Sequence, residues 1–219
     1  MEINILYEDS DIIVCKKPAE LLSEQSGDPS NSLADRIAER NNGYVGVIHR
    51  LDRGVGGIMV YAKTKEAAAK LSLAVQEHKL QKEYLALVHG KPGEASATLR
   101  DLLYHDRYKN KSFVVNRVRA GVKEAVLDYT LQNSVQHPTY GELSLLRITL
   151  HTGRTHQIRV QFASRGYPLL GDGKYGSSGD RCPIALFSAH LSFAHPKTGR
   201  RMSFEAFPEW DAELTGSNK

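Results

Sequence analysis

Short apolar and alternating runs separated by polar turns dominate the chain, and this pattern predicts strands more often than helices. Residues 3–7 and 11–15 flank a polar triplet and predict two strands joined by a turn. Lys16-Lys17-Pro18 ends the second strand, because proline cannot donate to a strand ladder. Further apolar or alternating runs predict strands at 44–48, 58–62, 84–88, 126–131, 143–150, 184–194 and 202–207.

Three helices interrupt the strands. Ser32, followed three residues later by Asp35, resembles a capping box and opens a short helix. Thr64 caps a second helix over residues 65–78, in which apolar residues recur at helical spacing. Thr155 is the predicted N-cap of a third helix. With no internal repeat or linker in view, the sequence predicts one sheet-rich domain over residues 1–219.

Residues 90–121 are the least regular stretch and contain the basic run Arg107-Tyr108-Lys109-Asn110-Lys111. Mixed aromatic and basic residues can bind nucleic acid by stacking and charge. From this run alone, a solvated hairpin is the preferred interpretation.

Composition narrows the class of protein. The 219 residues carry a net charge of +4, which fits a polyanionic partner without requiring one. The two cysteines are far apart, so we expect a reducing compartment and neither a disulfide framework nor a metal cluster. We find neither a signal-peptide pattern nor an apolar run of membrane-spanning length, and we therefore expect a soluble cytoplasmic protein.

The stretch with the clearest chemistry is His49-Arg50-Leu51-Asp52-Arg53, followed by a glycine-rich turn and an apolar strand. Flanking arginines favour the ionised form of Asp52, and an ionised Asp is a possible nucleophile or base. In isolation, the commoner interpretation is an Asp in a surface turn beside two solvated arginines.

A second group of polar residues lies where a strand gives way to the third helix. Arg154, His156 and Arg159 cluster there and predict an anion site, for RNA phosphate or for an ionised Asp. Neither a cysteine nor a carboxylate lies at ligand spacing, so we reject a metal site. His156 is expected to hold the turn through a hydrogen bond.

Taken together, these motifs resemble the RluA family of RNA pseudouridine synthases over nearly the whole chain. The resemblance rests on residues 5–18, His49-Arg50-Leu51-Asp52, residues 82–88, Gly153-Arg154-Thr155-His156-Gln157-Ile158-Arg159, residues 168–172 and residues 191–199. The family usually has Thr-Ser-Gly where this chain has Val55-Gly56-Gly57, and we expect that difference to alter the turn rather than the chemistry.

The resemblance implies an α+β fold with a mixed, largely antiparallel central sheet, flanking helices and a central active-site cleft. It implies one catalytic domain without an additional N-terminal S4-like RNA-binding domain, no cofactor, no metal, and a monomer. The implied reaction isomerises uridine to pseudouridine in ribosomal RNA, transfer RNA or both. The motifs do not name the target RNA.

The resemblance also assigns roles to individual residues. Asp52 matches the catalytic aspartate, Arg154 the arginine that pairs with it, and Tyr84 the tyrosine that stacks on the base and assists proton transfer. Arg50 matches the arginine that enters the space left by a flipped nucleotide. The remaining predicted substrate-binding residues are His49, His156, Arg159 and Leu186, the last as an apolar wall of the uracil pocket.

Two alternatives remain open from the sequence. The first is a non-catalytic RNA-binding module. The second is a glycosidase-like hydrolase, which normally needs two cooperating carboxylates, and Asp172 is the candidate for the second one.

Overall fold

The computed structural model describes residues 2–176 and 179–210, and the predicted strand-rich pattern is present throughout. Eleven strands and three helices lie within these described residues. Their order is β1 Asn4–Glu8, β2 Ile12–Lys17, α1 Leu33–Arg40, β3 Gly46–Val47, β4 Gly56–Ala62, α2 Lys65–Gln76, β5 Gln81–His89, β6 Ser96–Asp106, β7 Lys111–Val115, β8 Val122–His137, β9 Gly141–Leu150, α3 Gln157–Ala163, β10 Leu186–Ala194 and β11 Arg201–Glu205. Across the described part of the chain, no helix has the length and apolar character that crossing a membrane requires.

The chain divides into two compact units. The first comprises residues 2–82 and 187–208, with strand order β1-β2-β4-β10-β11 and β3 beside β4. Its strand pairs are antiparallel except β4 with β10, which run parallel. Apolar residues of β2, β4, α2 and β10 form its core, including Val14, Val60, Leu71 and Leu191.

The second unit comprises residues 83–176, 179–186 and 209–210, with strand order β5-β9-β8-β6-β7 and α3. Each of these strand pairs is antiparallel. Leu103, Ala125 and Val160 pack together where α3 meets β6 and β8. The predicted α+β class with largely antiparallel pairing is thus confirmed, whereas the single-domain assignment stays a prediction.

The first two helices begin at the predicted N-cap residues, Ser32 and Thr64. Asp35 N donates to Ser32 Oγ at 3.0 Å, and Ala67 N donates to Thr64 Oγ1 at 3.1 Å. Unlike a capping box, the Asp35 carboxylate accepts from the backbone N of Ser26 at 2.7 Å. The predicted end of α2 at residue 78 is two residues too late, since the helix ends at Gln76.

The sequence pattern missed two strands and misplaced one helix cap. No strand was predicted within residues 90–121, but they contain β6 and β7, and this hairpin agrees with the preferred hairpin interpretation of residues 107–111. Thr155 is not the N-cap of α3. His156 occupies that position in the left-handed conformation, with φ 55°, and its side chain makes no capping hydrogen bond.

Candidate active site

Asp52 lies in a tight turn that leads into the wholly buried strand β4. Val55 N donates to Asp52 O at 3.0 Å and closes the turn. The neighbours Leu51 and Val55 are buried, whereas Asp52 is partly exposed. The turn is therefore anchored in the core of the first unit, while Asp52 itself remains partly accessible to solvent.

A buried lysine holds this turn from one side. Lys17 is fully buried, and its Nζ donates to the backbone oxygens of Leu21 at 2.7 Å, Pro18 at 3.0 Å and Arg53 at 3.2 Å. Burial lowers the pKa of Lys17 to about 8, although the negative charges of Glu20 and Asp52 oppose that shift. The contact with Arg53 O fixes the backbone directly after Asp52.

Ser23 fixes the backbone directly before Asp52, and a glycine is required in the strand that follows the turn. Ser23 Oγ accepts from Leu51 N at 3.0 Å and donates to Leu51 O at 2.8 Å. Gly57 has φ +128°, and a Cβ there would lie 2.4 Å from both the N and the O of Ser188. Only glycine therefore fits where β4 meets β10.

Both arginines beside Asp52 have partners in the loop at residues 20–24. Arg50 Nη1 lies 2.9 Å from Glu24 Oε1 in an exposed ion pair. Arg53 Nε donates to Glu20 O at 3.0 Å. An exposed ion pair contributes little to stability, so Arg50 is readily available to another anion.

His49 is buried. Its Nε2 accepts from Val60 N at 3.3 Å. Burial, together with the positive charge of Lys82, holds the pKa of His49 well below its usual range, so the imidazole is neutral. The structure gives His49 a contact that orders β4, and its predicted substrate contact stays a prediction.

The second unit carries the remaining predicted site residues. Tyr84 is buried on β5 opposite Ile148 of β9. Arg154 is partly exposed, and its Nε donates to Glu124 O at 2.8 Å. Leu186 is buried at the start of β10.

Gln157 organises the turn that bears Arg154, and sequence reasoning missed it. Its Oε1 accepts from Thr152 Oγ1 at 2.7 Å and from Arg154 N at 3.1 Å, and its Nε2 donates to Val126 O at 3.1 Å. The sequence offered only a glutamine at the start of the predicted helix, and helix periodicity does not distinguish a buried glutamine from a solvated one.

His156 and Arg159 both belong to a network around the loop at residues 172–175. His156 Nδ1 lies 2.9 Å from Tyr175 Oη, consistent with the predicted turn-holding role. Arg159 forms a two-pronged ion pair with Asp172, with both N–O distances 2.8 Å. Burial opposes ionisation of Asp172, but the hydrogen bonds and charge of Arg159 outweigh it and lower the pKa.

The Arg159 pair also bears on the glycosidase alternative. Asp172 is fully buried, and its Oδ1 additionally accepts from Lys174 N at 3.0 Å and Tyr175 N at 3.2 Å. A carboxylate whose oxygens are occupied in this way is not available as the second catalytic acid or base. Within residues 2–176 and 179–210, no group of three or more His, Cys, Asp or Glu side chains is placed to hold a metal ion.

Comparisons with known proteins agree on one family. The family described as RNA pseudouridylate synthase matches residues 11–164. An RNA pseudouridine synthase of Aquifex aeolicus is 37% identical over 93% of this chain and 68% of its own length. The ribosomal large subunit pseudouridine synthase D of Haemophilus influenzae is 33% identical over 99% of this chain and 71% of its own.

A solved structure extends the likeness to the fold. Human RNA pseudouridylate synthase domain containing 1 superposes with a TM-score of 0.81 at 21% identity, over 98% of this chain and 87% of that one.

Proposed function

The chain belongs to the RluA family of RNA pseudouridine synthases, and on that premise we propose that Asp52 is its catalytic aspartate. The protein isomerises uridine in RNA to pseudouridine. The N1–C1′ glycosidic bond breaks and a C5–C1′ bond forms, while C5 loses a proton and N1 gains one. Atoms balance without an oxidant or a second substrate.

One observation carries the assignment of Asp52: its turn is fixed from several sides while the residue itself stays partly exposed. Ser23 holds the backbone at Leu51, before Asp52, and Lys17 holds it at Arg53, after Asp52. A preorganised carboxylate can meet a reacting atom without a further ordering cost. It can add to the base, attack C1′ or remove a proton, and all three uses need this accessibility.

Tyr84 and Arg154 are proposed as the other catalytic residues because each lies in a motif of the family. Arg50, His49, His156, Arg159 and Leu186 are proposed to bind the RNA or its uracil. The exposed position of Arg50 supports its proposed entry into the space left by a flipped nucleotide. The buried side chain of Leu186 supports its apolar role.

Ribosomal RNA is the proposed substrate class. Several relatives of this chain are named ribosomal large subunit pseudouridine synthases, including proteins of Haemophilus influenzae and Pseudomonas aeruginosa. The test fractionates RNA from cells that lack the gene into large ribosomal RNA and transfer RNA. Tritium release from labelled transfer RNA alone would overturn this substrate.

The decisive experiment measures tritium release from RNA labelled at uracil C5. We expect release by the wild type and by Asp28→Asn, and none above background by Asp52→Asn. Asp28 is the matched control, because it is exposed and its Oδ1, which accepts from Ser30 N, is retained in Asn.

Release by Asp52→Asn would show that another residue is the essential one. Free uracil among the products would favour a hydrolase. Absence of release by every protein, with RNA still bound, would favour the binding module.

A further inference from the structure

The hairpin of β6 and β7 ends in an exposed basic and aromatic tip that the proposed catalytic roles leave unused. Asp106 pairs with Lys111, so residues 107–110 form the connection, and all four are exposed. Tyr108 is fully exposed between Arg107 and Lys109. We call residues 107–111 the hairpin tip.

Local contacts give the hairpin tip a defined shape. Asp106 Oδ1 accepts from Lys109 N at 3.0 Å, and Asn110 N donates to Arg107 O at 3.4 Å. Asn110 adopts the left-handed conformation with φ 44°, which asparagine tolerates better than most residues. Tyr108 is therefore presented on an ordered turn.

The base of the hairpin is hydrogen-bonded to the loop at residues 172–175 and to Thr155, which lies between Arg154 and His156. Lys111 Nζ donates to Lys174 O at 2.6 Å. Ser112 bonds to both segments: its N donates to Tyr175 Oη at 2.6 Å, and its Oγ donates to Thr155 O at 2.6 Å. The hairpin tip thus projects from a fixed base within the second unit.

The chemistry of the hairpin tip selects one kind of partner. A tyrosine ring offers a flat face on which a nucleobase can stack, with little conformational entropy to lose. Cations immediately before and after the ring are suited to the phosphates on either side of that base. Bases inside a duplex hide their faces, so the partner needs an unpaired base.

We propose that the hairpin tip binds an unpaired nucleotide of the substrate RNA, with Tyr108 stacked on its base and Arg107 and Lys109 on the adjacent phosphates. The inference rests on RNA being the substrate and is independent of the role assigned to Asp52. It implies that the substrate presents a single-stranded nucleotide to the second unit.

The first test reads stacking directly, without turnover. Tyr108→Trp introduces an indole whose fluorescence falls when a base stacks on it, and the wild type, with Trp210 alone, supplies the background. We expect stronger quenching by poly(U) than by a poly(A)·poly(U) duplex at equal bound phosphate. Equal quenching by both, or binding of poly(U) without quenching, would overturn the proposal.

The second test measures binding of unmodified large ribosomal RNA by filter retention. Tyr108→Ala should weaken binding about tenfold, and Tyr108→Leu nearly as much, because leucine retains apolar area but no aromatic face. Tyr108→Phe should restore affinity close to the wild type. A Leu variant that binds as well as Phe would contradict stacking.

The charge contribution has its own control. Arg107→Gln should reduce both affinity and its salt dependence, whereas Lys65→Gln, at an exposed position on α2, should change neither. Equal effects of the two substitutions would mean that Arg107 contributes only to the general positive charge of the surface and does not contact the RNA specifically. Because these readouts record binding, they remain decisive even if Asp52→Asn proves active.

Discussion

The hydroxyl oxygen of Tyr175 lies 2.9 Å from Nδ1 of His156 and accepts the backbone N–H of Ser112 at 2.6 Å. Because an amide can only donate, the proton of the Tyr175 hydroxyl is available for Nδ1. The same contact fixes a histidine whose φ of 55° is unfavourable for an L residue.

Removing this hydroxyl should affect both stability and RNA binding. Tyr175→Phe leaves Ser112 N without its acceptor and is expected to lower the free energy of unfolding by about 1–2 kcal/mol. The KM for RNA should rise several-fold, since His156 loses its orientation. Urea denaturation and tritium-release kinetics measure the two effects, with Tyr108→Phe as the stability control. If Tyr175→Phe lowers the free energy of unfolding but leaves the KM unchanged, the role of Tyr175 is structural and it does not contribute to RNA binding.

The glycine at position 57 should be irreplaceable for a steric reason. Gly57→Ala places a Cβ 2.4 Å from the Ser188 backbone and should cost more than about 3 kcal/mol or prevent folding. Gly27→Ala is the matched control, because Gly27 also has a positive φ, +80°, but open space around it. Its cost should be about 1 kcal/mol. Equal losses in urea denaturation would mean that backbone conformation, not contact, explains Gly57.

Lys17 should matter through its three carbonyl contacts. Lys17→Met leaves the backbone oxygens of Pro18, Leu21 and Arg53 without this donor, and we expect a loss of about 2 kcal/mol in unfolding free energy. Tritium release should fall as well, because the backbone after Asp52 loses a support. Lys65→Met, an exposed substitution, should change neither quantity. Full activity in Lys17→Met would contradict the role of Lys17 in fixing the backbone after Asp52.

Features with local causes were predictable from the sequence. Ser32 and Thr64 cap their helices within three residues, so α1 and α2 follow from short-range signals. The Asp52 turn was recognisable because its charges and glycines are adjacent. The apolar and alternating runs predicted a sheet-rich domain, whereas the α+β class came from the resemblance to the RluA family.

Features fixed by distant residues were not predictable. The start of α3 depends on His156, whose backbone is held through Tyr175, 19 positions away. The hairpin strands β6 and β7 expose much of both faces, so they lack the clean alternation that identifies a strand. Lys17 reads as an ordinary end of a strand, and only the fold brings Arg53 to it.

Asp172 gives the sharpest pH prediction. Its pKa in the folded protein is lowered by Arg159 against the opposing effect of burial. A carboxylate with a lowered folded pKa stabilises the protein fully above its unfolded pKa of about 3.9, and this contribution is lost as the pH falls through the lower folded value. Asp172→Asn should therefore cost about 3 kcal/mol at neutral pH and progressively less below about pH 4.

The control for Asp172→Asn is a substitution of Arg159, the ion-pair partner of Asp172. Arg159→Met alone leaves a buried carboxylate without its cation, and should be as damaging as Asp172→Asn, whereas the double variant should lose clearly less than the two losses combined. Urea denaturation at neutral pH and near pH 3 measures all four proteins. If the cost of Asp172→Asn is the same at both pH values, or if the two losses simply add, the ion pair is not what stabilises the loop at residues 172–175.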